Sequence, residues 1–356
     1  MEHTNQIEVT PIASFQNFAT RLGDFYDPSQ PVPILQSPPH TTLRVVDKET
    51  QQCLFILCKK LLRPSLYEPI VTEYLPIVRK MESSNRGFAA GMKKRIQKDK
   101  FERSNSVRSA IAGFIDSPNN KYPCRLTKFS RDHFETYQKG LPMIRTVNKC
   151  LQEHLPEQYR AQLQKAEQTT FRIPETAFTT VTMNYNFQTA IHLDKGDCKE
   201  GFGTLVVCSK DIQGGHVIFP RYHIGVEVEN GDVLLMNVHE YHCNTPIVQT
   251  QPDGYRLSFV CYLREKLLDC RHNEVLKELG IEDHKHWDTQ LLVKKITEKA
   301  GMVYDNRVRR EDGWELETSA YRMVCRKRQY QFYDKRVGKK ITSLYQIWGY
   351  LQHLTI

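Results

Sequence analysis

The stretch FQTAIHLDKGD, residues 187–197, decides how this chain is read. His192 and Asp194 stand two apart, behind the apolar Ala190 and Ile191. In an extended run successive side chains alternate between faces, so the imidazole and the carboxylate point the same way. A nitrogen donor beside an anionic oxygen donor makes two-thirds of a site for a first-row metal. The remaining third has to come from another part of the chain.

Working outward, MNVHEYHCNTP (236–246) offers His239 and His242. His242 lies fifty residues after His192, on a late extended run, and is the expected third ligand; His216, His223 and His239 are read as structural. Two histidines and one carboxylate leave three positions open on octahedral iron. A 2-oxo acid chelates through two of them and dioxygen takes the third, which a closed four-ligand site does not permit. The far carboxylate of such a co-substrate needs a cation. YRLSFVCYL (255–263) places Arg256 fourteen residues past His242, with Ser258 on the same side of the strand. A guanidinium clamps a carboxylate through two parallel hydrogen bonds, and a nearby hydroxyl adds a third.

These residues sit in a region of period two. From about residue 177 eight short extended runs follow one another: AFTTVTMNY, TAIHLD, GTLVVCS, GHVIFP, HIGVEVE, DVLLMNV, HCNTPIV and RLSFVCYL. Asn230-Gly231, inside ENGD (229–232), reads as a hairpin turn between two of them. The fold expected is α+β, a double-stranded β-helix (jelly-roll) barrel flanked by helices, with a small basic C-terminal α/β module. Helical spacing over about 131–166 predicts two or three helices, with Ser130 or Asp132 as N-cap. After residue 264 a helix ending at Gly301, strands over 314–336 and a closing helix are expected. The boundaries expected are 1–100 for an N-terminal mixed or helical extension, 101–270 for the barrel with its leading helices, and 271–356 for the basic module.

Apolar residues make up 40% of the 356 and charged ones 26%, the balance of an ordinary soluble globule. No run of apolar residues is long enough to span a membrane, and MEHTNQIEVT lacks the basic and apolar regions of a secretory signal. An intracellular protein is expected, with its ten cysteines as free buried thiols; no Cys-x-x-Cys pair occurs. The net charge of +9 is uneven. Residues 291–356 carry fourteen basic and seven acidic side chains, and 91–110 carry seven and two, the latter in a segment read as mobile. Clustered positive charge attracts a polyanion, most simply nucleic acid.

The stretch from TVTMNYNFQTAIHLDKGDCKEGFGTLVV through GGHVIFPRYHIGVEVENGDVLLMNVHEYHCNTPI to RLSFVCYLRE resembles the catalytic domain of the TET/J-binding-protein family, in its viral, phage and fungal branch. The resemblance covers about residues 105–265. It implies iron(II)- and 2-oxoglutarate-dependent hydroxylation of the methyl group of thymine or 5-methylcytosine in DNA, with dioxygen as co-substrate and ascorbate as a stimulant. It places His192, Asp194 and His242 as iron ligands and Arg256 as the 2-oxoglutarate anchor, with Ser258 and Asn184 beside it. Asp197, five beyond His192, falls where the target base lies; cytosine-modifying relatives carry an amide there, so both bases stay open. The base would have to be flipped out of the duplex. The same iron chemistry on a protein side chain or small molecule, and a non-catalytic nucleic-acid-binding relative, are the alternatives.

Overall fold

The computed structural model describes residues 4–92, 94–95, 100–101, 105–116, 124–169, 171–268, 289–327, 329–342 and 344–353. The chain divides into two compact units, Met1–Asn119 with Thr127–Asp269 and Asn120–Leu126 with Cys270–Ile356. Each mixes helices and strands, so the chain is α+β. No helix among the described residues is long and apolar enough to cross a membrane. Part of the basic segment read as mobile, and residues 270–288, lie outside the described residues.

In the first unit the strands are β1 (Thr4–Val9), β2 (Thr42–Asp47), β3 (Cys53–Cys58), β4 (Val107–Asp116), β5 (Thr180–Tyr185), β6 (Gly203–Lys210), β7 (Val217–Phe219), β8 (Ile224–Val226), β9 (Val233–Met236), β10 (Cys243–Asn244) and β11 (Tyr255–Tyr262). A large sheet runs β1-β2-β3-β9-β6-β11-β5-β4, and a small one runs β10-β7-β8 with Ile34–Leu35 at its edge. The helices are α1 (Pro64–Val78), α2 (Lys128–Asp132), α3 (Phe134–His154) and α4 (Pro156–Ala166).

Both faces of the central part of the large sheet are covered, so β3 and β9 are buried along their whole length. On β6, Val206 and Cys208 pack with Tyr74 of α1 and Val147 and Leu151 of α3. Leu205 and Val207 point the other way, into a core shared with Val217, Phe219, Ile224 and Val226 of the small sheet. Phe55 of β3 and Phe219 of β7 stack across that core, ring centroids 5.1 Å apart. On β11 the same alternation sends Leu257, Phe259 and Cys261 to the helix side. Arg256, Ser258, Val260 and Tyr262 therefore face the small sheet and line a cavity there.

Several expectations change. TAIHLD is not a strand; it contributes one antiparallel bridge, His192 to His242. Its neighbours are loop segments, so only that residue pair is in ladder register. ENGD is a turn, with the Asp232 N–H donating to the Glu229 carbonyl at 3.1 Å and Gly231 at φ 86°. It joins β8 to β9, which belong to different sheets, so it is a crossing and not a hairpin. The Asn230 amide is drawn away to the Ser209 backbone, at 2.7 and 2.9 Å. Three helices do fill 128–166, but the cap of the first is Thr127, whose hydroxyl accepts from the Ser130 N–H. β2 and β3, in the segment read as an N-terminal extension, are strands of the large sheet. Eight of the described cysteines are free and buried, whereas Cys124 is disulfide-bonded. A disulfide requires two Cα atoms within about 7 Å, a proximity that spacing along the chain does not disclose.

The second unit carries a five-stranded antiparallel sheet over 308–341 and two helices, Thr289–Lys299 and Leu344–His353. Its core holds Leu292, Ile296, Met323, Phe332, Ile347 and Trp348. Trp314, Tyr321 and Tyr330 pack against that core.

Candidate active site

The cavity on the inner face of the large sheet has a volume of about 470 Å³. Every residue expected at the site lines it: Asn184, His192, Asp194, Asp197, His242, Arg256 and Ser258. His192 and His242 meet as a hydrogen-bonded pair, with N–H to carbonyl distances of 3.0 and 3.2 Å in the two directions. Paired positions on antiparallel segments present their side chains on the same face, and the two rings lie 4.2 Å apart. The Asp194 carboxylate reaches both: Oδ1 is 3.8 Å from His192 Nε2, and Oδ2 is 3.7 Å from His242 Nε2.

The donor chemistry of these three suits a metal. Each imidazole directs Nδ1 at a backbone carbonyl two residues earlier, His192 at Ala190 (2.8 Å) and His242 at Glu240 (2.9 Å). Donation from Nδ1 leaves the Nε2 lone pair free for a metal. The three ligand atoms lie within 4.8 Å of one another. Burial, and then the neighbouring His242 charge, pull the His192 pKa down to about 4, so this imidazole is neutral at pH 7, as a ligand must be.

Distant segments hold the two histidine loops. The Ile191 N–H donates to the Asp24 carbonyl, and the Ala190 N–H to the Ala89 carbonyl. Before His242, Glu240 accepts from Arg221 Nε at 3.0 and 3.1 Å, and Tyr241 lies against Phe15 and Phe18. His239 is engaged elsewhere, its Nε2 3.1 Å from the Cys198 carbonyl, and is not in the cluster.

Arg256 is 6% exposed and donates to the Gly215 carbonyl at 3.1 Å. Burial alone drags its pKa down to about 10, and no acid among the described residues offsets it. A buried cation without a counter-charge is costly, so the position suits an anionic ligand. Gly215 makes room: with φ +73°, it would put a Cβ 2.7 Å from Arg256 Nε. Asp197 is buried; desolvation and then the Asp194 charge push its carboxyl well above the usual range. Asn184 Oδ1 accepts from Ser109 at 2.9 Å and from Arg86 at 3.3 Å.

Sequence reasoning missed Arg86, Tyr262 and Arg264, all of which line the cavity. Arg86 Nε is buried with no hydrogen-bond partner among the described residues. Nothing in ESSNRGFAAG marks that arginine; only the folding of a remote loop brings it in. Arg264 has a local signal, two residues beyond β11, and is ion-paired with Asp116. Tyr262, pushed up to about 12 chiefly by burial, shares a hydrogen bond of 3.1 Å with Thr182.

Residues 111–265 match the Tet_JBP family model, described as the oxygenase domain of the 2OGFeDO superfamily. The bifunctional helicase and thymine dioxygenase JBP2 of Leishmania infantum is 32% identical over 162 residues, 45% of this chain and 15% of that protein. Thymine dioxygenase JBP1 of Trypanosoma brucei brucei is 32% identical over 166 residues, 46% and 20% respectively. The chain thus spans a fifth or less of the length of these relatives. A solved structure of NgTET1 in complex with 5mC DNA aligns at TM-score 0.45 and 13% identity, over 69% of this chain and 88% of that one. Residues 111–265 are therefore similar to the oxygenase domain that the Tet_JBP family model describes.

Proposed function

We propose that the protein hydroxylates the 5-methyl group of a pyrimidine in DNA, with iron(II) and 2-oxoglutarate as cofactors and dioxygen as co-substrate. The observation that carries this reading is one cavity holding both the His192–Asp194–His242 cluster and the buried, acid-free Arg256. The main fold would be the double-stranded β-helix, its two layers supplied by the large and small sheets.

In this reading His192, Asp194 and His242 hold the iron through Nε2, a carboxylate oxygen and Nε2. Bound iron, with the two electrons that 2-oxoglutarate gives up on decarboxylation, would activate dioxygen toward a methyl C–H bond. The chain does the rest. Arg256 clamps the far carboxylate of 2-oxoglutarate, Ser258 two residues on adds a hydroxyl, and the buried setting strengthens both contacts. The backbone carbonyls of Ala190 and Glu240 keep the two imidazoles in register and fix their tautomers. Asn184, held by Ser109 and Arg86, and Asp197, in the field of Asp194, are the polar groups that position the base. Apolar walls such as Val217, Met236 and Val238 keep water out.

A methyl group in duplex DNA is out of reach of a cavity closed by two sheets, so the base is flipped out, at a cost of a few kcal/mol. Phosphate contacts offset part of that cost and make binding salt-dependent. Both relatives above are named thymine dioxygenases, and thymine is the first candidate here, 5-methylcytosine the second. The test is succinate release with iron(II), 2-oxoglutarate and ascorbate, with duplex DNA, a prolyl or lysyl peptide, or neither. Stimulation by DNA supports the proposal; stimulation by the peptide alone moves the substrate to protein.

A further inference from the structure

A second set of metal-ligating side chains lies away from the cavity. Cys58 closes β3, while Cys150 and His154 sit on the last turns of α3. Their spacing of four puts the thiol and the imidazole on one helix face. The sulfurs of Cys58 and Cys150 are 3.5 Å apart, and the ligand atoms of all three residues lie within 4.8 Å of one another. Two thiolates on one tetrahedral zinc, each at about 2.3 Å, stand about 3.8 Å apart. The observed separation is close to that and far from the about 2.05 Å of a disulfide.

The surroundings separate these thiols from the others in the same sheet. Burial pushes the thiols of Cys208 and Cys261 up to about 12. Cys58 is as deeply buried, yet a second thiol and an imidazole stand within ligand distance of its sulfur. The thiolate is the form that binds metal. Both cysteines are closed to solvent, at 2% and 1% exposure, while His154 is half-buried at the rim. The cluster therefore has a soft interior lined by two sulfurs and one side, at His154, from which an ion and a completing water can enter.

We propose that Cys58, Cys150 and His154 form a site for a thiophilic divalent ion, zinc, bound by two sulfurs, one nitrogen and a water. Binding releases the thiol protons and forms two Zn–S bonds and one Zn–N bond, with no change of oxidation state. The ion fastens α3 to β3, a strand of the sheet that carries the cavity. Cys58 and Cys150 lie 92 positions apart in the chain, so the staple joins elements that backbone hydrogen bonds do not connect.

The test is titration of the full-length, reduced, metal-stripped protein with cobalt(II) under anaerobic conditions. The histidine and aspartate cluster also takes cobalt(II), but it has no sulfur and gives no thiolate-to-cobalt charge-transfer band. The expected result is a near-ultraviolet sulfur band that saturates within two equivalents, and at one in Asp194→Ala, and is bleached by zinc. The band persists in Asp194→Ala, disappears in Cys58→Ser and weakens in His154→Ala. The last change is at a half-buried side chain and keeps the test open if the serine variant does not fold. A missing sulfur band, a band that survives Cys58→Ser, or unaltered cobalt affinity in His154→Ala overturns the proposal. So does formation of a Cys58–Cys150 disulfide in air in place of metal binding.

Discussion

Replacing Arg256 with alanine removes the only cation that the sheet aims into the cavity from β11. The guanidinium is buried and donates to a neutral carbonyl, that of Gly215 at 3.1 Å. If 2-oxoglutarate supplies the missing negative charge, truncation leaves that carboxylate buried and unpaired. Loss of one member of such a pair costs about 2–5 kcal/mol. At about 1.4 kcal/mol per factor of ten, 2-oxoglutarate affinity falls between about 30-fold and a few thousand-fold. Lysine at this position recovers part of the loss, since it keeps a point charge but not the two-pronged geometry. The assay is anaerobic calorimetric titration of 2-oxoglutarate into the metal-loaded protein, with succinate release under air as a second readout. Unchanged affinity in Arg256→Ala would remove the residue from the co-substrate site and with it half of the observation on which the functional reading stands.

Three further outcomes are expected. His242→Ala abolishes turnover and metal retention whereas His239→Ala keeps both, because the His239 ring is directed at the Cys198 carbonyl; the reverse pattern in a turnover and iron-content assay would reassign the third ligand. Asp334 is buried and held down at about 2, first by Arg336 and also by Tyr350. Its folded pKa lies below the ordinary value of about 4, so the stability it contributes is complete above about pH 4 and is lost as pH falls toward about 2. Melting curves across that window should be steeper in pH for the wild type than for Asp334→Asn; parallel curves would show that the pair contributes nothing. Deleting residues 291–356 should weaken DNA binding and flatten its log–log salt dependence by about 0.9 for each phosphate the protein no longer neutralises, while sparing DNA-independent 2-oxoglutarate turnover. Glu315 already takes up Arg310 and Arg322, so the slope change should fall well short of the fourteen cations counted in that stretch. An unaltered slope would make the unit structural only.

The site was legible where few residues decide it. His192 and Asp194 are local neighbours, and Arg256 and Ser258 share one strand face by the two-residue period, so their grouping follows from spacing. Grouping His242 with them required only that a late segment pair with 192, and it does so through a single bridge. What spacing does not encode is partner choice over long separations. Thr42–Asp47 and Cys53–Cys58 join the sheet through β9, whose Val233 pairs with Cys58 far along the chain, a pairing that no local pattern announces. Arg86 enters the cavity because its loop docks there, and its contact with Asn184 spans 98 positions. Asn230-Gly231 misled for the converse reason: the turn formed, but its flanking strands found better apolar partners in separate sheets. The aromatic residues of the second unit went where a short chain needs them, with Phe332 fully buried.

The proposed activity of the cavity is oxidation of a methylated pyrimidine in DNA. It is tested most directly by nucleoside mass spectrometry of duplex DNA after incubation with the full-length protein, iron(II), 2-oxoglutarate and air. Three substrates decide it: one carrying thymine as its only 5-methylpyrimidine, one carrying 5-methylcytosine as the only one, and one with neither, uracil replacing thymine. The expected product is a 5-hydroxymethyl nucleoside from the first or second, 2-oxoglutarate-dependent and absent with Asp194→Ala. Steady succinate release without any oxidised nucleoside from either methylated DNA would contradict it.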